Sequence, residues 1–163
     1  ATGLLSNDRG LSPEKSYRHQ TMDAFQQVFR ANTFGPALVA KHMLPLMPRK
    51  GRAVFAALSA RVGSISDNRL GGWHAYRASK AALNMLVRNY AIEQARVNDQ
   101  FIAVTLHPGT VDTGLSRPFQ SNVTDAQLFT VDQSATYLLE VIENLTPADT
   151  GSFFDWGGKQ VPA

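Results

Sequence analysis

Apolar residues along this chain follow a helical period in some stretches and form short continuous runs in others. Helical spacing extends from Thr21 to about Met47, over residues 73–98, and again after Thr130. Continuous apolar runs at residues 51–58 and 101–107 lie between these stretches. Such runs predict strands that are buried on both faces, as in a parallel sheet.

Proline and glycine interrupt the first helical stretch. Gly35-Pro36 falls in its middle, where proline lacks an N–H donor and is expected to bend the helix. Pro45 and Pro48 then end it. Asn32 comes just before the bend, where a freed backbone group would be available to water.

The last predicted helix, after Thr130, is preceded by a typical helix start signal. Thr130 followed by Gln133 matches a capping box. The predicted inner face of this helix consists of Ala135, Leu138, Leu139 and Ile142. Residues 152–156 predict a short last strand. The connection at residues 110–129 has little periodicity, and long connections of this kind are often functional.

Strands and helices therefore alternate, which predicts an α/β fold with a parallel sheet and helices on its faces. The first residues, Ala1-Thr2-Gly3-Leu4-Leu5, resemble the end of a buried strand and its turn, and the chain begins with Ala instead of Met. We therefore expect residues 1–163 to be a single partial domain, the C-terminal portion of a doubly wound, Rossmann-like sheet truncated at the N-terminus. Ligands of such sheets bind beyond the carboxyl ends of the strands, where Ser59 and Pro108 are predicted to lie.

Composition and charge narrow the classes of function. The chain carries 16 basic and 13 acidic residues, a formal net charge of +3, and no run of five or six like charges, so no nucleic-acid partner is expected. The absence of cysteine excludes disulfides and thiolate metal sites and fits a cytoplasmic protein. No apolar run is long enough to span a bilayer. We expect no metal site, because no ligand spacing relates the four histidines, which are His19, His42, His74 and His107.

Tyr76 and Lys80 are the first candidates for chemistry. Four residues apart on a helix, they would share one face, one turn from each other. A tyrosine with a pKa of about 10 is a poor acid or base at neutral pH. A cation one turn away is expected to lower that pKa toward the working range. Taken alone, such a pair is more often an ordinary surface pair, so Ser59 and Asn32 matter as candidate supporting groups.

Four short segments share the order and spacing of the motifs of one known family. They are Asn32-Thr33-Phe34-Gly35, Leu58-Ser59-Ala60-Arg61-Val62-Gly63, Tyr76-Arg77-Ala78-Ser79-Lys80 and Pro108-Gly109-Thr110-Val111-Asp112-Thr113. On these segments the chain resembles the C-terminal two thirds of a short-chain dehydrogenase/reductase, most closely of the C-factor type. The agreement extends along the whole chain.

The resemblance implies roles for individual residues. In that family a tyrosine is the acid/base, a lysine binds the nicotinamide ribose, an asparagine helps to hold a relay water and a serine orients the substrate carbonyl. The residues with implied catalytic roles are Asn32, Ser59, Tyr76 and Lys80. The residues with implied cofactor contacts are Tyr76, Lys80, Pro108, Gly109, Val111 and Thr113. The connection at 110–129 would cover the substrate, and Trp73 and Phe119 are candidates for lining its pocket.

Two departures from the family pattern affect these roles. The family's catalytic serine aligns with Ala60, so Ser59, Ser64 or neither supplies the hydroxyl. Ser59 is our choice, although strand alternation would point it to the opposite face. The glycine-rich phosphate-binding turn has no counterpart in these residues, and neither has the residue that selects between NAD and NADP, so the choice of cofactor stays open.

The predicted function is that of an NAD(P)-dependent oxidoreductase, which transfers hydride between nicotinamide and a small alcohol or carbonyl substrate. The alternative is a non-enzymatic signalling or interaction protein on the same scaffold, as the C-factor resemblance suggests. Ala60 supports this alternative, whereas the intact tyrosine, lysine and asparagine oppose it. The resemblance also implies a homo-oligomer, a dimer or a tetramer. The sequence does not name the substrate.

Overall fold

The structure of the protein is a computed structural model that describes residues 3–163. The helices are α1 (Met22–Phe29), α2 (Gly35–Met43), α3 (His74–Ala95) and α4 (Val131–Asn144). The strands are β1 (Ala53–Leu58), β2 (Phe101–His107), β3 (Thr110–Val111), β4 (Leu128–Phe129) and β5 (Phe153–Asp155). The turn predicted at Ala1-Thr2 lies outside the described residues.

β1, β2 and β5 form a parallel sheet in that order. β1 runs beside β2 in unbroken register, from Ala53 opposite Phe101 to Leu58 opposite Leu106. The chain crosses between these strands through α3 and α4, as parallel pairing requires. The predicted α/β fold with a parallel sheet is therefore confirmed.

Helices cover the two faces of this sheet, and alternate strand residues point to each face. The core on the α3 face contains Ala53, Ala57, Leu83, Val87, Ala91, Phe101 and Ala103. The core on the α4 face contains Ile102, Val104, Leu106, Val141, Leu145 and Phe154. β2 contributes to both cores, because it lies between β1 and β5.

β1 is less buried than predicted. Every residue of β2 from Phe101 to Leu106 is buried, whereas Ala56 in β1 is exposed and Val54 is half-buried. Within the described sheet β1 has a neighbouring strand on one side only. Burial on both faces is thus correct for β2 and wrong for β1, since an edge strand is covered less completely.

The first helical stretch changes helix type at the predicted bend. α1 ends at Phe29, a π-helical turn spans Arg30–Phe34, and α2 follows. The N–H of Gly35 bonds to the carbonyl of Arg30, five residues back. Pro36 has no N–H, so the carbonyl of Asn32 loses the donor that an α-helix would give it. Single π turns of this kind often mark functional positions in helices.

The start of α4 is predicted correctly, and its inner face is predicted in part. The capping box at Thr130 and Gln133 is present, with the Thr130 hydroxyl accepting from the Gln133 N–H. Leu138 and Ile142 pack against the core as predicted, whereas Ala135 is exposed and Leu139 is 59% exposed. The buried residues of α4 are Ser134 and Val141. The inner face therefore includes two of the four predicted residues, and Ser134 and Val141 take the place of the other two.

Two features are absent from the part of the chain that the structure describes. None of its helices has the length and apolar character that crossing a membrane requires. No three His, Asp or Glu side chains in it come together as a possible metal site. The cytoplasmic location stays a prediction from the sequence.

Candidate active site

Tyr76 and Lys80 lie on one side of α3, in its first turns. Both side chains are buried, with 7% of Tyr76 and 2% of Lys80 exposed. The Lys80 ammonium lies 5.8 Å from the centroid of the Tyr76 ring. It donates a hydrogen bond of 3.0 Å to the carbonyl of Leu58, the last residue of β1. The pair therefore lies at the carboxyl end of a parallel strand.

Burial dominates the ionisation of both groups. Loss of contact with water raises the pKa of Tyr76 to about 12 and lowers the pKa of Lys80 to about 8. The expected lowering of the Tyr76 pKa is therefore wrong for this structure. The ammonium bonds to the Leu58 carbonyl and not to the phenol, so desolvation outweighs its attraction for a phenolate.

Asn32 connects three segments of the chain and is completely buried. Its Oδ1 accepts from the N–H of Leu4 at 2.6 Å, and its Nδ2 donates to the carbonyl of Leu4 at 2.9 Å. Nδ2 also donates to the hydroxyl of Ser79 at 3.0 Å. The Ser79 hydroxyl donates in turn to the carbonyl of Tyr76 at 2.7 Å. The amide thus holds the segment at Leu4 and the π turn against the start of α3.

The positions proposed for a substrate-orienting hydroxyl differ in their contacts. Ser59 is 4% exposed, and its Oγ has no hydrogen-bond partner among residues 3–163. The hydroxyl of Ser64 donates to the carbonyl of Pro162 and ties this loop to the C-terminal segment. Ala60 packs against the apolar cluster that contains Tyr76. Val62 of the same loop also packs against this cluster, so neither loop residue that reaches it carries a hydroxyl.

The Pro108-Gly109 turn ends β2 at the same edge of the sheet. Gly109 has φ +79°, and a Cβ at this position would lie 2.6 Å from the Phe129 ring. The hydroxyl of Ser134 in α4 donates to the Pro108 carbonyl at 2.8 Å. Val111 and Thr113 follow, and both are half-buried. Packing and one hydrogen bond thus fix the path of the backbone where cofactor contacts are predicted.

Trp73 and Phe119 form an aromatic wall beside Tyr76. The Trp73 ring centroid lies 6.3 Å from that of Tyr76 and 5.1 Å from that of Phe119. Trp73 adopts a left-handed backbone conformation with φ 51°, directly before α3. Phe119 belongs to a 3₁₀ turn, Arg117–Phe119, within the connection at 110–129. Part of the connection that is predicted to cover the substrate therefore packs beside Tyr76, the candidate acid/base.

Sequence reasoning missed Glu14, which caps α3. Its side chain is 5% exposed, and both carboxylate oxygens lie 3.3 Å from the N–H of Ala75. Its carbonyl accepts from the N–H of Trp73 at 2.6 Å. A carboxylate at this position complements the positive end of the helix. The available signal was indirect: α3 begins without a Ser, Thr, Asp or Asn cap, so its cap had to come from elsewhere.

Known proteins resemble this chain in sequence and in structure. A family model described as enoyl-(acyl carrier protein) reductase matches residues 3–147. The C-signal of Myxococcus xanthus is 39% identical over 136 residues, which are 83% of this chain and 76% of that protein. The NADPH-bound carbonyl reductase from chicken fatty liver has a TM-score of 0.80 and 31% identity, covering 99% of this chain and 66% of that one.

A second solved structure shows the same partial overlap. A short-chain dehydrogenase/reductase from Burkholderia multivorans with bound NADP has a TM-score of 0.77 and 26% identity, covering 99% of this chain and 64% of that one. The chain therefore spans slightly less than two thirds of the length of each of these two solved proteins.

Proposed function

The chain belongs to the short-chain dehydrogenase/reductase family, and we propose that it is the catalytic and substrate-side portion of an NAD(P)-dependent oxidoreductase acting on alcohols or carbonyl compounds. One observation carries this proposal. The Lys80 ammonium lies 5.8 Å from the Tyr76 ring and bonds to the Leu58 carbonyl at the end of β1. Parallel α/β sheets bind their ligands at this edge.

The residues around Lys80 fit the nicotinamide half of such a cofactor. An ammonium has three N–H groups, and one of them is engaged within residues 3–163, by Leu58. The other two match the hydroxyls of a ribose. A Cβ at Gly3 would lie 3.3 Å from the Lys80 Nζ, so the glycine leaves this approach open. When bound, the nicotinamide would supply or accept the hydride.

Tyr76 would move the proton of the substrate oxygen. Because its pKa is raised to about 12, the phenol is protonated at neutral pH and suits donation to a carbonyl oxygen. Lys80, with a pKa lowered to about 8, is still mostly an ammonium at pH 7. Its charge would stabilise the phenolate that remains after the proton has left.

The remaining site residues take supporting roles in the proposal. The side chain of Asn32 is hydrogen-bonded to Leu4 and Ser79. Its backbone carbonyl on the π turn is therefore the group proposed to hold a relay water. The segment proposed to meet the nicotinamide carboxamide consists of Pro108, Gly109, Val111 and Thr113. The hydroxyl of Ser59 makes no hydrogen bond within residues 3–163, so its proposed substrate-orienting role has no supporting contact in the described chain.

Titration of the intact protein with NADH and NADPH, followed by fluorescence, tests the proposal. We expect saturable binding of at least one nucleotide, and the tighter one decides between NAD and NADP. If neither nucleotide binds saturably, the oxidoreductase function is wrong.

A second candidate function is non-enzymatic signalling or interaction on the same scaffold. Two observations favour it: the 39% identity to a protein named C-signal, and the alanine at position 60 against the Tyr76 cluster. The same titration separates the two functions, because a purely interacting protein needs no nucleotide. An intact protein that binds neither NADH nor NADPH would support this second candidate.

We also propose a homo-oligomer, a dimer or a tetramer. Leu38, Val39 and Met43 on α2 are 58%, 52% and 47% exposed, and Met85 and Ile92 on α3 are 61% and 46% exposed. Exposed apolar groups that cluster on helices often mark protein contacts. Light scattering of the intact protein should give a multiple of the chain mass, and the mass of a single chain would contradict this.

A further inference from the structure

Three buried side-chain polar atoms have no hydrogen-bond partner within residues 3–163. They are Ser59 Oγ, Asn84 Oδ1 and His107 Nδ1. Buried polar atoms of folded proteins nearly always have a partner, either in the protein or in ordered water. The proposed catalytic contacts supply no partner for any of the three.

Ser59 and His107 are neighbours at the carboxyl ends of β1 and β2. Leu58 pairs with Leu106, and the N–H of Ser59 donates to the Leu106 carbonyl at 2.7 Å. Ser59 therefore follows the last paired residue of β1, and His107 follows its partner in β2. Ala57 and Thr105 are paired two positions earlier, and Ala57 packs on the α3 face. Strand alternation directs both side chains toward α3.

Asn84 lies in the same layer, on α3. It follows Lys80 by one turn and precedes Arg88 by one turn, so the three residues share one side of the helix. Lys80 reaches the carbonyl of Leu58 at the end of β1, and Arg88 reaches that of Thr150 before β5 at 3.4 Å. Asn84 is therefore placed above the sheet between these contacts. Helical side chains lean toward the N-terminus, which here points Asn84 toward the strand ends.

His107 is uncharged at neutral pH. Burial lowers its pKa to about 4, while Asp155 acts to raise the pKa and Arg61 to lower it. Asp155 is the register partner of His107 on β5. A neutral imidazole offers one donor and one acceptor nitrogen, so Nδ1 needs one complementary partner and not a counterion.

The chemistry of the three atoms selects a neutral ligand that both donates and accepts hydrogen bonds. The hydroxyl of Ser59 can do either, whereas Oδ1 of Asn84 only accepts, which disfavours an anion. The Lys80 ammonium bonds to the carbonyl directly before Ser59, which disfavours a metal cation. Water meets these requirements, and buried waters typically bond to about three otherwise unsatisfied groups.

We propose that a water molecule binds between Ser59 Oγ and His107 Nδ1, with Asn84 Oδ1 as its third partner. This water joins the two strand ends from which the site loops leave, at residues 59–72 and 108–129. It gives the hydroxyl of Ser59 a structural partner and removes it from contact with substrate. The inference does not depend on nucleotide binding.

A crystal structure of the intact protein, at a resolution that shows ordered water, tests the site directly. We expect density for one water within hydrogen-bonding distance of both Ser59 Oγ and His107 Nδ1. An empty space, a direct bond between the two side chains or a metal ion at this position would overturn the proposal.

Thermal unfolding of two serine variants tests it without crystals. Ser59 and Ser134 are both 4% exposed, but the Ser134 hydroxyl has a known partner in the Pro108 carbonyl. If the water is bound, S59A and S134A should both lower Tm, each by about 2–4 °C. If the Ser59 hydroxyl has no partner, its removal should leave Tm unchanged or raise it, which contradicts the proposal. Both variants are measured without nucleotide, so a failed nucleotide titration would not affect this result.

Discussion

The two sides of the candidate site are held in different ways. On the helix side, hydrogen bonds fix the side chains of Asn32, Ser79 and Lys80, which are 0%, 0% and 2% exposed. On the strand side, the backbone at Gly109 is fixed by the Phe129 ring, and the hydroxyl of Ser59 has no partner in the described part of the chain.

This difference matters for what each side can do. Hydrogen bonds fix the direction of the Lys80 ammonium and hold the backbone carbonyl of Tyr76, which positions both residues for the proposed chemistry. Packing of the Phe129 ring against Gly109 fixes the path of the backbone, and the Pro108 carbonyl accepts from the Ser134 hydroxyl. In the proposed function, the helix side carries out the proton transfer and the strand side lies along the nicotinamide.

The largest effect on the helix side is expected from Y76F in the intact protein. We expect turnover with NAD(P)H to fall by about 100-fold or more, because the proton donor is lost. Nucleotide affinity should stay nearly unchanged, since the ring and Lys80 remain. Y90F is the matched control, because Tyr90 lies on the same helix and packs against Phe55. Full activity of Y76F would show that the acid/base is elsewhere.

N32A should remove the support of the helix side. The variant leaves the Leu4 N–H, the Leu4 carbonyl and the Ser79 hydroxyl without their partner. We expect the free energy of unfolding to fall by about 3 kcal/mol, measured by urea denaturation. N68A is the control, because Asn68 is exposed and bonds only within its own loop. An equal loss in both variants would contradict the role of the network.

G109A tests the packing of the strand side. The added Cβ meets the Phe129 ring at 2.6 Å in a backbone of positive φ, so we expect a loss of about 2–3 kcal/mol. G10A has a comparable φ of +94° but nothing within 4 Å of its Cβ, so it measures the backbone strain alone. Equal losses in the two variants would show that the Phe129 contact does not hold the turn.

Lowering the pH should reduce the free energy of unfolding through His107, on the strand side. Burial lowers the pKa of His107 from its ordinary value of 6.5 to about 4, so between these pH values the unfolded state binds a proton that the folded state does not. Stability from this group is therefore lost as pH falls from 6.5 to 4, by about 3 kcal/mol. Urea denaturation across this range should show a smaller loss for H107N than for the wild type. H19N, at an exposed position, should behave as the wild type.

Much of the fold follows from local sequence. The bounds of β2 and the capping box of α4 agree with the prediction, because periodicity and capping depend on residues close in the chain. An interruption of the helix at Gly35-Pro36 is predicted for the same reason, although its form as a π turn is not. The order of the motifs likewise sufficed to indicate the family.

What the tertiary structure alone decided depends on residues far apart in the chain. Glu14 caps α3 from 61 residues away, and the pKa of Tyr76 rises because distant segments exclude water from it. The same holds for Ser59, whose neighbour at the end of β2 follows from strand register. Ionisation and hydrogen bonding respond to the whole surroundings of a group, whereas a sequence pattern reports only its neighbours along the chain.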